Sequence, residues 1–133
     1  KRSWFMADRL CRLAIPTPKP LAYLDEYQGV LLWRSFFIYE YVSGPGLHAV
    51  LIDPAVPEER KRRLIDQVVG MLKRLSEWGI SHGDLKHSNM ICNGDNLFFI
   101  DLDAMRQNFG PDFLKRYRYE KDKARFFRDI KSV

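Results

Sequence analysis

His82-Gly83-Asp84-Leu85-Lys86-His87-Ser88-Asn89, followed downstream by Ile100-Asp101-Leu102-Asp103, is the stretch that decides how this chain is read. It has the form H-x-D-x-K-x-x-N and ends, further on, in an apolar segment closed by Asp. Between the two parts, Met90-Ile91-Cys92 and Leu97-Phe98-Phe99-Ile100 read as short apolar strands. Asn93-Gly94-Asp95-Asn96 joins them, and Asn-Gly is a strong tight-turn signal. The resulting hairpin places Asn89 at the start of one strand and Asp101 at the end of the other. Asp84 and Asn89 share one loop, so the first can face outward while the second turns back.

Taken singly, an Asp or Asn near a turn reads as an Asx-turn or a helix cap, and a lone His as a satisfied structural residue. Four identities at set spacing, then a hairpin and an Asp, favour a chemical reading. Phosphoryl transfer needs a carboxylate to orient and deprotonate an acceptor hydroxyl, oxygen ligands for magnesium, and positive charge near the transferring group. Asp84 supplies the first and Lys86 the last. Asn89 and Asp101 supply hard oxygen donors, and beside nucleotide phosphates two such ligands suffice for magnesium.

The 133 residues suffice for one domain but are short for a complete enzyme of this kind. With 46% hydrophobic residues, the chain can bury a core and is not a disordered tail. Cys11 and Cys92 stand far apart in no C-x-x-C pattern, so reduced structural thiols of a cytosolic protein are expected. No apolar run reaches membrane-spanning length and no signal peptide opens the chain. The net charge of +5 is clustered in Arg60-Lys61-Arg62-Arg63 and in a tail bearing Lys115, Arg116, Arg118, Lys121, Lys123, Arg125, Arg128 and Lys131. Solvated helix faces account for such runs most simply; anionic lipid head groups or a phosphorylated substrate are the functional alternative. No nucleic-acid-binding motif accompanies the charge, and nucleic acid is not expected as a partner.

Along the chain, residues 2–13 read as a helix with Phe5/Met6, Leu10 and Leu13 on one face. Ile15-Pro16-Thr17-Pro18-Lys19-Pro20 then forces an extended path. Leu21–Tyr27 and the strongly apolar Val30–Val42 read as strands about a Gln28-Gly29 turn, and Ser43-Gly44-Pro45-Gly46 as a breaker. Pro57-Glu58-Glu59 opens a helix with Leu64, Val68, Met71/Leu72, Leu75 and Trp78 as its buried stripe and Gly79 as its cap. Gly110-Pro111 begins a basic helical tail containing Phe113, Tyr117, Phe126 and Phe127. The pattern predicts an α+β architecture.

The chain resembles the lipopolysaccharide kinase family, which includes 3-deoxy-D-manno-octulosonic acid (Kdo) kinases and heptose kinases of bacterial envelope synthesis. The resemblance rests on Ser3-Trp4 and Arg9-Leu10, on Ile15-Pro-Thr-Pro-Lys-Pro-Leu21, and on Phe36-Phe-Ile-Tyr-Glu40. It rests further on the His82–Asn89 loop and on Ile100-Asp-Leu-Asp-Ala-Met-Arg106. The loop pattern alone is shared with protein kinases and small-molecule phosphotransferases; the proline link and the Asp101–Arg106 segment narrow the choice.

The resemblance implies a protein-kinase-like fold. Residues 1–42 would be the end of a β-rich N-lobe, with one helix and two strands. Residues 43–133 would be the helical C-lobe with its hinge and active loops. It implies ATP and Mg2+ as cofactors, Asp84 as general base, Lys86 near the transferring phosphate, Asn89 and Asp101 as metal ligands, and Glu40, Tyr41 and Val42 of the Glu40–Ser43 hinge as adenine contacts. His82 would buttress the loop. The acceptor implied is a sugar hydroxyl, Kdo or heptose, on a lipid A–core glycolipid precursor. That places the protein in the cytoplasm, peripheral to anionic membrane at the inner membrane's cytoplasmic face. Asp103 stands where the common Asp-Phe-Gly motif has glycine, which argues against a protein-kinase-type activation switch. No glycine-rich loop or ATP-holding strand lysine precedes these residues, and Ser3 falls where relatives can carry the lysine's glutamate partner. The expectation is therefore an N-terminally shortened chain that, as residues 1–133 alone, transfers phosphate poorly. The alternatives are a soluble small-molecule or protein kinase, and a non-catalytic pseudokinase-like binding module.

Overall fold

The computed structural model describes residues 2–131; Lys1, Ser132 and Val133, at the outer ends of the two expected units, lie outside the described residues. The first helix, α1 (Arg2–Arg12), buries Met6, Ala7 and Leu10, which fall on one face at three- and four-residue spacing. Phe5, expected beside Met6, is instead exposed and packs edge-on against Trp4. The helix ends with Ile15 donating its N–H back to the Leu10 carbonyl (2.9 Å).

The proline-rich link then lies alongside the later strand that leads to Asp101. Prolines cannot donate, so the link uses its other groups. Pro16 C=O accepts the Phe99 N–H (3.0 Å), and the Thr17 hydroxyl donates to the Phe99 carbonyl (2.9 Å). Strands β1 (Pro20–Gln28) and β2 (Leu31–Tyr39) form an antiparallel hairpin with Tyr23 opposite Phe37 and Leu24 opposite Phe36. Gly29 takes the left-handed conformation in its turn (φ 62°). The apolar content of β2 does not translate into burial. Leu31, Leu32, Trp33, Phe36 and Ile38 are all exposed, and Phe37 is half-buried against the core. A two-stranded sheet has no second layer of its own, so its side chains stay uncovered on both faces.

A short helix, α2 (Leu47–Ile52), precedes α3 (Glu58–Glu77), which starts at Pro57 with Glu58 and Glu59 in its first turn. Leu64, Val68, Met71, Leu72 and Leu75 are buried as the period predicts. Trp78, expected on the same stripe, is 53% exposed because it caps the helix, where the chain turns away. Gly79 then takes φ 66° beneath the Asn108 carbonyl, which would stand 2.7 Å from an added Cβ. Strand β3 (Ile80–Ser81) leaves α3 directly for the loop that begins at His82. A 3-10 turn at His87–Asn89 leads to β4 (Met90–Asn93), paired antiparallel with β5 (Asn96–Phe99), Met90 opposite Phe99. Strand β6 (Arg106–Gln107) pairs with β3. The last helix, α4 (Asp112–Ile130), packs on α3 and buries Phe126 completely, while Phe113 and Tyr117 are exposed. One apolar core joins α1, α2, α3, the β4–β5 hairpin and Phe126.

Candidate active site

The His82–Asn89 loop is held from both ends and from beneath. The His82 ring is fully buried, edge-on to Phe99 (5.2 Å between centroids). The His82 and Gly83 N–H groups donate to the two oxygens of Asp122 on α4 (2.8 and 3.1 Å). Burial pushes the Asp122 carboxyl above its ordinary range, and these two donors work against that shift. Gly83 lies at φ 82°, and a Cβ there would stand 2.6 Å from the Ala104 carbonyl oxygen, so only glycine fits between the loop and the Asp101–Ala104 segment. His87 is fixed in turn by Asp129, which accepts its backbone N–H (2.7 Å) and pairs with its ring.

This frame leaves Asp84 half-exposed at the mouth of a cleft of about 390 Å³ lined with Lys86, Arg125, Arg128 and Asp129. Its Oδ2 pairs with Lys86 Nζ (2.9 Å) and its Oδ1 with Arg125 Nη1 (3.0 Å). The Lys86 hydrogen bond, with the charges of Lys86 and Arg125, holds the Asp84 carboxyl below the usual range against a smaller opposing effect of burial. Asp84 is thus kept as a carboxylate.

Asn89 connects Asp84 to Asp101. Its side-chain Nδ2 donates to the Asp84 carbonyl (3.0 Å), and its own carbonyl accepts the Ile100 N–H (2.9 Å). Asp101 is the next residue. It is exposed, at φ 57°, in a second cleft of about 180 Å³ bordered by Thr17, Phe37, Tyr39 and Asp103. Ser3 of α1 donates to Asp103 at the edge of this cleft. Asp84 and Asp101 therefore line separate clefts, linked through Asn89. Glu40, Tyr41 and Val42 follow Tyr39 but are not part of the Asp101 cleft lining. The Glu40 N–H is taken by the Lys19 carbonyl (2.8 Å), and the chain beyond is fastened to β4 by Cys92 N–H to Pro45 (2.9 Å).

While Nδ2 is tied to the Asp84 carbonyl, the Asn89 amide oxygen accepts a long hydrogen bond from the Ser88 hydroxyl (3.3 Å). The Asp101 carboxylate makes no hydrogen bond or ion pair among the described residues. Each side chain carries a hard oxygen of the kind that suits magnesium. Among the described residues no group of three or more His, Cys, Asp or Glu could hold a metal, so a cation here would draw its remaining ligands from water or a phosphate-bearing molecule.

Asp122, Arg125 and Asp129 were not singled out by the loop motif. They recur at three- and four-residue spacing on one face of α4, and acids on one face of an otherwise basic helix are the signal that could have found them. The tail is accordingly not simply a solvated face. Lys115 pairs with Asp112, Arg118 with Asn108 and Arg125 with Asp84, while Arg116, Lys121, Arg128 and Lys131 are exposed. Cys92 is buried as expected of a structural thiol; Cys11 is exposed.

Burial lowers the His82 pKa from 6.5 to about 4, and neither ring nitrogen has a hydrogen-bond partner among the described residues. The unfolded chain then binds more protons than the native one between those values. Stability is full above pH 6.5 and falls as pH drops toward 4, by on the order of 3 kcal/mol. Asp122, with its raised pKa, has the opposite sign: its contribution is full at low pH and lost as pH rises through its folded value. Urea titrations of wild type and His82→Leu across pH 4–7 separate the two. The leucine variant is expected to lose the acid-side decline, and equal slopes in the two proteins would refute the buried neutral imidazole.

Residues 1–128 match the sequence profile of the lipopolysaccharide kinase (Kdo/WaaP) family. Over 69 residues the chain is 36% identical to the KEOPS complex subunit Bud32 of Pyrococcus abyssi (strain GE5 / Orsay), a match covering 52% of this chain and 30% of that protein. Its structure is similar to a chain in the crystal structure of the yeast RNA Pol II CTD kinase CTDK-1 complex. That similarity has a TM-score of 0.60 at 18% identity and covers 82% of this chain and 34% of that one. The chain thus spans about a third of the length of these relatives. The likeness to the CTD kinase complex shows a protein-kinase-like α+β fold.

Proposed function

Because the chain belongs to the lipopolysaccharide kinase (Kdo/WaaP) family, we propose that it carries the catalytic and metal-binding loops of an ATP-dependent kinase. The acceptor in this reading is a sugar hydroxyl, Kdo or heptose, on a lipid A–core precursor. The observation that supports the reading is the connection from Asp84 through Asn89 to Ile100-Asp101, which in this reading would link a carboxylate base to the two oxygen ligands.

Asp84 receives the acceptor's proton, and Lys86 offers positive charge to the transferring phosphoryl. Asn89 and Asp101 would hold Mg2+, which when bound neutralises charge on the ATP phosphates. Adenine recognition falls to the Glu40 carbonyl and the backbone of Tyr41 and Val42, since the Glu40 N–H is already engaged. Among the described residues no helix is long and apolar enough to cross a membrane. A cytoplasmic protein would reach a glycolipid peripherally, and the exposed cations of α4 suit an anionic surface.

The test is label transfer by the full-length protein. With γ-labelled ATP, Mg2+ and a Kdo-bearing lipid A precursor, label is expected in the glycolipid. Label entering only protein or a small soluble acceptor would replace the acceptor assignment. Bound ATP with no transfer to any acceptor would make the protein a binding module.

A further inference from the structure

The common form of this loop, H-R-D-L-x-x-x-N, carries arginine next to its Asp. Here that place is Gly83, and the Ala104 carbonyl leaves no room for any side chain. The cation beside Asp84 comes instead from α4. Arg125 Nη1 donates to the Gly83 carbonyl and to Asp84 Oδ1 (3.0 Å). Its helix is tied to the same loop one turn earlier by Asp122 and one turn later by Asp129.

The two cations on Asp84 differ in kind. Arg125 is partly buried, on a 19-residue helix, and spends one planar guanidinium on two acceptors. Lys86 is more exposed, on a flexible stem, and binds only Oδ2. Both carboxylate oxygens are therefore engaged, and a base must free one.

We infer that Arg125 is a positioning residue that fixes Asp84 Oδ1, so that Oδ2, released when Lys86 swings to the transferring phosphoryl, is the oxygen that meets the acceptor. This rests on the kinase reading above and assigns the roles within it. The acceptor O–H proton passes to Oδ2 as the acceptor oxygen bonds the γ-phosphorus of ATP. The bond from that phosphorus to the β,γ-bridging oxygen breaks, and its electron pair leaves with ADP. A carboxylate free to rotate would present either oxygen, and misplacement of a reacting group by an ångström can lose 100-fold in rate.

Two measurements on the full-length protein test this. The first needs no turnover. By NMR, the Arg125 guanidinium protons are expected to exchange slowly in wild type and fast in Asp84→Ala; fast exchange in wild type overturns the inference. The second is kinetic, with the Kdo-bearing lipid A precursor as probe. Arg125→Ala is expected to lower kcat roughly 10- to 100-fold with the KM for ATP unchanged. Arg125→Lys should recover part of the loss, and millimolar ethylguanidinium should partly restore the alanine variant, which repair of folding alone would not do. A folded Arg125→Ala protein with wild-type kcat overturns the assignment. Slow exchange in a wild type that transfers no phosphate would leave the Arg125–Asp84 clamp standing and reject the kinase reading.

Discussion

Asp122→Ala is expected to destabilise the protein by roughly 1–4 kcal/mol and to abolish activity with it. The carboxylate is buried and accepts the N–H groups of His82 and Gly83. Removing it leaves the buried His82 N–H and the part-buried Gly83 N–H without their acceptor; an unsatisfied buried group costs about 1–3 kcal/mol, and the one nearer solvent costs less. The loss is concentrated on the segment that carries Asp84, so the loop should loosen before the rest of the core. Urea denaturation gives the total, and amide exchange at His82 and Gly83 gives its location. Asp122→Asn keeps one acceptor oxygen and should fall between. An alanine variant as stable as wild type, with both amides still protected, would show that the loop is held by something other than α4.

Asp84→Asn is expected to reduce phosphoryl transfer by roughly 10²- to 10⁴-fold, the usual range for loss of a general acid–base group. Asparagine has nearly the same shape, so the fold should be unaffected at this half-exposed position. ATP affinity should hold or tighten. Asp84 does not line the cleft that contains Asp101, and its loss leaves Lys86 and Arg125 free to attract phosphate. Label transfer measures the first effect and calorimetry the second. Retention of more than about a tenth of the turnover would remove Asp84 from the role of base.

What was legible in the sequence was local. The β4–β5 hairpin with its Asn-Gly turn, the stripe of α3 and the Asn89–Asp84 link all lie within short sequence distances, whereas the convergence of Asp84 and Asp101 on one cleft that the hairpin suggested is not found, since they line separate clefts. Asp122, Arg125 and Asp129 meet the loop from 39 to 42 residues away, in a register set by the packing of Phe126. No loop motif contains that register. The two-residue strands β3 and β6 are too short to show a period, and so is α2. The apolar content of β2 announced a strand correctly but could not say whether anything covers it, since alternation reports a face and not its neighbour. Trp78 missed the core for a related reason: helical spacing places a residue on a stripe, whereas the cap decides whether the stripe still faces inward.

The left-handed backbone at Asp101 gives that position two conflicting optima. An L-residue there costs about 1 kcal/mol relative to glycine, although aspartate tolerates the region better than most. A library screened only for resistance to heat should therefore drift toward glycine at 101 and discard the carboxylate in the process. Screened for turnover, the same library should restore aspartate at the expense of melting temperature. Robustness and chemistry pull this one codon in opposite directions, and the chain as it stands keeps the aspartate.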